Sequence, residues 1–151
     1  MKALFALAVG LVWLGTGCGA FLVSDPEGLP PSVWAADTCA VLTPVLGLPS
    51  TGVGDTPLAV TIDDARKDLE QLEPATGVGP FHDRLTDDLE SIAQELADLA
   101  EDGASSSELD QGWARLRGDL IAVLRERADD LSSEAAVAFR ASCPAIFPGG
   151  S

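Results

Sequence analysis

Three cysteines, a single histidine, a run of three serines and three pairs of adjacent aspartates are the residues best suited to chemistry in this 151-residue chain. His82 follows Pro80-Phe81 at a helix start and is read as an exposed or capping group. Ser105, Ser106 and Ser107 have no basic partner positioned by a motif, so they read as loop and cap residues rather than nucleophiles. The pairs Asp63-Asp64, Asp87-Asp88 and Asp129-Asp130 attract attention as cation ligands. Neighbours on a helix diverge by about 100°, however, so a single pair does not converge on one ion. Calcium loops space their ligands at alternate positions around a central glycine, and no such run occurs here. Solvated helix faces account better for the pairs, with weak divalent-cation association across two helices as the alternative. There is no Cys-x-x-Cys, no Glu-x-x-His and no second histidine. The expectation is no metal site, no cofactor, no catalytic residue and no enzyme.

The cysteines divide unequally. Cys18 lies in LGTGCGA, residues 14–20, at the end of an apolar leader. Lys2, the run ALFALAVGLVWL (3–14) and the small residues Gly15, Thr16 and Gly17 make the pattern of a secretory signal. Thr16, Gly17 and Cys18 make this leader resemble the signal peptides of bacterial lipoproteins. The resemblance implies diacylation of the Cys18 thiol and cleavage just before it. Leu14 stands four positions before Cys18, where that pattern places its aliphatic residue three before. Two other routes stay open. Cys18-Gly19-Ala20 offers the small residues of an ordinary cleavage site, releasing a secreted chain that begins near Phe21. Residues 3–24 also carry no charge, and about 20 apolar residues can span a bilayer as an uncleaved transmembrane anchor. All three routes place the rest of the chain outside the cytoplasm.

Export gives the other two cysteines a role. Once Cys18 is lipidated or removed, Cys39 and Cys143 form an even pair in an oxidising compartment, and a disulfide between them is expected. It would close about 100 residues, worth roughly 4–5 kcal/mol in the loop-entropy model.

The net charge of −15 repels phosphate backbones, so nucleic acid is excluded as a partner. The chain is 46% hydrophobic but only 5% aromatic, with no tyrosine. A core of Leu, Ala and Val favours helices over sheets.

Residues 1–18 thus read as a signal peptide with a lipobox-like end and 19–31 as a Pro/Gly-containing tether. A packed N-terminal arm using Phe21, Leu22 and Leu29 is the alternative for the latter. Residues 32–151 form the acidic domain. SVWAADTCAVLTPVLG (32–47) reads as a proline-interrupted helix with Trp34, Cys39, Val41 and Leu42 on its apolar side. Asp55 or Thr56 caps a second helix with Pro57 at its first position and Leu58, Ile62, Ala65, Leu69 and Leu72 as its stripe. Pro80 opens a third, striped by Phe81, Leu85, Leu89, Ile92, Leu96 and Leu99. A fourth, capped by Ser107, runs to about Ser142 through Leu109, Trp113, Leu116, Leu120, Leu124, Leu131, Ala135 and Ala138, with a bend near Ser132-Ser133. Residues 81–102 hold eight acids against Arg84 alone, whereas the fourth segment holds Arg115, Arg117, Arg125, Arg127 and Arg140. Pairing across that interface is expected.

The fold class is therefore all-α, an antiparallel bundle of three to four helices with one disulfide. The function expected of it is non-enzymatic: an exported helical protein, membrane-anchored through its N-terminal lipid or apolar segment, that binds a protein or cell-envelope partner. Trp34 and Trp113 are the candidate aromatic anchors in an interhelical groove, with core packing as the alternative for both. A carrier or sensor of a small ligand or cation is the second functional reading.

Overall fold

A computed structural model describes residues 28–49 and 58–149. The leader with Cys18, the tether through residue 27, and the Asp55, Thr56 and Pro57 helix start lie outside the described residues. Within them the protein is all-helical: α1 Pro31–Leu46, α2 Leu58–Glu70, α3 Gly79–Glu101, α4 Ser106–Arg127 and α5 Ser133–Ser142, with a single 3-10 turn, Ala128–Asp130, before α5.

Helix α1 starts on Pro31, where a missing N–H costs nothing. Pro44 does not interrupt it; the helix continues to Leu46. Only the last turn lies beyond that proline, so a single intrahelical bond is forgone, and the Thr43 hydroxyl donates to the Cys39 carbonyl at 2.6 Å one turn back. The buried side of α1 is Trp34, Ala35, Thr38, Cys39, Leu42, Val45 and Leu46. Val41, expected there, is only partly buried.

The stripes of α2 and α3 fall as the four-and-three spacing dictates. Leu58, Ile62, Ala65 and Leu69 of α2 are buried, as are Phe81, Leu85, Leu89, Ile92 and Leu96 of α3. These two helices pack most extensively on one another, and α4 returns along α3. The turn between α3 and α4 is a Schellman motif. The Ala104 N–H donates to the Leu99 carbonyl at 3.0 Å and the Gly103 N–H to the Ala100 carbonyl at 3.2 Å. Gly103 has φ +76°, a conformation that other residues adopt only with strain.

Two boundaries differ from the sequence reading. The cap of α4 is Ser105, not Ser107. The Ser105 hydroxyl accepts from the Glu108 N–H while the Glu108 carboxylate accepts from the Ser105 N–H, a reciprocal capping box. The expected long fourth helix is also two helices, so the bundle has five among the described residues. The bend near Ser132-Ser133 is a full break, with Ser132 as N-cap of α5 accepting from the Ala135 N–H at 3.4 Å. Helix α5 buries Ala135, Ala136 and Phe139, and Ala138 of the expected stripe is only partly buried.

Helix α5 lies against α1, and the Cys39–Cys143 disulfide joins them with a Cα–Cα distance of 5.3 Å. Around the bridge, Trp34 stacks on Phe139 at 5.8 Å, and the Phe139 ring meets Phe81 edge-on at 5.2 Å and Phe147 at 5.9 Å. Four rings from three helices and the C-terminal segment thus share one end of the core. The Arg125 guanidinium donates to the Ile146 carbonyl at 2.6 Å and ties the C-terminal segment to α4. Leu29 packs on the core, and a Cβ on Gly28 would stand 2.7 Å from the Pro74 carbonyl oxygen. Gly28 and Leu29, within the segment read as a tether, thus pack against the domain.

Candidate functional site

The antiparallel pair α3–α4 carries the charge pairing expected of it. Arg115 pairs with Glu95, and Arg127 pairs with Asp88. Near the connecting turn the helices come close: a Cβ on Gly112 would stand 3.0 Å from Leu99 Cδ1. Between the two ion pairs lies a groove of about 160 Å³. Ile92 from α3 and Leu116 and Leu120 from α4 form its floor, each nearly buried by its own stripe. Val123, Ser91, Asp88 and Asp119 stand at its edges. With Asp88 already paired to Arg127, an apolar floor edged by the Asp119 carboxylate can seat an apolar side chain and attract a neighbouring cation.

Apart from Asp88, the residues singled out for chemistry lie elsewhere, and several of them serve the fold. His82 is a correction: it is buried at 6% exposure, not exposed, because the first turn of α3 points it inward. Its Nδ1 accepts a long hydrogen bond, 3.5 Å, from the Trp34 indole Nε1–H. Trp34 and Trp113 are a second correction, since both have zero exposure and offer no surface to a partner. The stripe that made them candidate anchors is the stripe that places them in the core. Trp113 Nε1 and Thr38 Oγ1 are buried without a hydrogen-bond partner.

The three aspartate pairs do not gather. Asp63 takes Arg66 and Lys67 on α2, Asp88 takes Arg127, and Asp129 takes Arg140. Among the described residues no three His, Cys, Asp or Glu side chains are placed to hold a metal ion. Lys67, then Arg66, beside Asp63 hold its carboxyl below the usual carboxylate range by hydrogen bonding. Glu108 is likewise held low, by the Ser105 backbone N–H first and the Ser105 hydroxyl second. Cys18 lies outside the described residues, and among those described no helix is long and apolar enough to cross a membrane.

Val123 and Phe139 are the residues the sequence reading missed. Val123 sits beside the a/d stripe of α4 and looks like an ordinary flank until α3 is placed opposite. Phe139 was legible as an aromatic three residues before the final serine of a helix, but the phase of α5 had to be known first.

No protein-family model, curated protein or solved structure matches the chain.

Proposed function

We propose that this protein is an exported, non-enzymatic binding module whose α3–α4 groove docks an apolar segment flanked by basic residues on a protein or cell-envelope partner. One observation carries the reading: Ile92, Leu116 and Leu120 line an open groove edged by Asp88 and Asp119 on a chain of net charge −15. Charge of this magnitude steers a basic partner toward the groove and leaves the apolar floor to hold it. The Cys39–Cys143 disulfide and the lipoprotein-like leader support export and anchoring at the outer face of a membrane. The use of Ser105 as a cap and of His82 as the acceptor of Trp34 supports a non-enzymatic role.

A photo-crosslinking residue at Val123 tests the groove in the native cell, with the exposed Val137 on α5 as the control position. A discrete adduct from position 123 that is missing from position 137 is expected, and it should weaken at raised ionic strength. Equal labelling from both positions, or none from 123, overturns the reading. Mass analysis of the native N-terminus tests export. Lipidated Cys18, a start at Phe21, or an intact leader in the membrane fraction each agree with it, whereas full-length protein in the cytosol with free thiols does not.

A further inference from the structure

A second cavity, of about 120 Å³, lies where the start of α3 meets the 3-10 turn after α4. That is space for several water molecules. Phe81 and Leu131 give it an apolar floor, and Arg84 and Asp130 line it from opposite elements. Its charges are unusual for this molecule. Every other basic side chain among the described residues has an acceptor. Arg66 and Lys67 are paired within α2; Arg115, Arg127 and Arg140 have acidic partners; Arg117 and Arg125 reach backbone carbonyls. Arg84 alone has none, on a protein with 24 acidic residues. Asp130 is also unpaired, its neighbour Asp129 having taken Arg140. The two unpaired groups border one cavity without bonding to each other.

Opposite charges that share a cavity and stay apart leave room between them for a ligand with the reverse order of charge. We infer that this cavity binds a small zwitterion, its anionic group on the Arg84 guanidinium and its ammonium on the Asp130 carboxylate. Its carbon skeleton lies over Phe81 and Leu131. The polarity is set by the fold: Arg84 stands one turn into α3, whose N-terminal end adds positive potential on the same side. The mouth is open, because Gly77 at its edge (φ +81°) has nothing within 4 Å of where a Cβ would stand. Arg127, also at the wall, is already occupied by Asp88 and leaves the net balance of the cavity unchanged. The same chemistry is offered by a free amino acid and by the headgroup of a zwitterionic lipid. This ligand function is separate from docking in the α3–α4 groove.

Isothermal titration of the full chain with L-alanine and, separately, with glycerophosphoethanolamine tests the inference and distinguishes a solute from a lipid headgroup. Acetate and methylammonium, each carrying one half of the charge pattern, are the controls. The expected result is saturable binding of at least one zwitterion with a Kd of about 1 mM or tighter. Neither control should match it, and Arg84→Gln and Asp130→Asn should each weaken it by about tenfold or more. Both side chains are exposed, so unchanged melting curves verify that the variants fold. Failure of both zwitterions to bind overturns the inference. So does acetate binding as tightly as alanine with Asp130→Asn without effect, which describes a plain anion site.

Discussion

Thr38 and Asp63 show how differently two polar side chains can bear on stability. The Thr38 hydroxyl has zero exposure and no hydrogen-bond partner, so the fold carries its desolvation uncompensated. Valine has the same shape without the hydroxyl. Thr38→Val should therefore leave stability unchanged or raise it by up to about 1 kcal/mol, read from urea denaturation midpoints. A loss of stability would mean that the hydroxyl has a partner in solution. Asp63 lies at the surface between Lys67 and Arg66, which hold its carboxyl low. A carboxyl with a folded value below its unfolded one stabilises the fold above the unfolded value. That contribution disappears as pH falls through the folded value. Glu108 behaves in the same sense through its bonds to Ser105. Melting temperature should thus decline as pH drops below about 4, and Asp63→Asn should make that decline shallower.

At the scale of elements, the connection between α3 and α4 carries two local devices that can be separated by mutation. Gly103 closes the Schellman turn at φ +76°, so Gly103→Ala should cost about 1 kcal/mol although nothing surrounds the added methyl. Ser105 is one half of the capping box, so Ser105→Ala should cost about 1 kcal/mol, while Ser107→Ala should leave the chemical denaturation midpoint unmoved. The helices themselves were legible because Leu58, Ile62, Ala65 and Leu69, and Leu85, Leu89, Ile92 and Leu96, repeat at the spacing of one helix face. The cap was equally present in the sequence as Ser105 followed three residues later by Glu108, but a run of three serines hid which one begins the helix. The break before α5 was harder to read, because alanines and serines continue a helical pattern through it. What ends the pattern there is the cap: the Ser132 hydroxyl accepts from the Ala135 N–H and starts a new helix. The groove was illegible for a different reason. Its floor belongs to two stripes that each look complete on their own, and only the placement of α3 against α4 shows where they leave space.

For the whole molecule, the disulfide is the one covalent tie between the beginning and the end of the bundle. Cys39 lies in α1 and Cys143 just after α5, 104 positions apart. Closing a loop of that length restricts the unfolded chain far more than it alters the packed one, by about 4–5 kcal/mol in the entropy model, with measured losses of about 2–5 kcal/mol for native bridges in small domains. Noncovalent contacts also gather around the bridge. Trp34 stacks on Phe139, Phe147 meets that ring, and Arg125 holds the Ile146 carbonyl. Replacing both cysteines by alanine should consequently keep the helical circular dichroism spectrum at low temperature. It should also lower the urea midpoint by an amount equivalent to about 2–5 kcal/mol, with reductant having no further effect on the variant. Equal midpoints for the oxidised wild type and the double variant would show that α1 and α5 are held by their aromatic contact alone. The bridge would then lend no support to the proposed export.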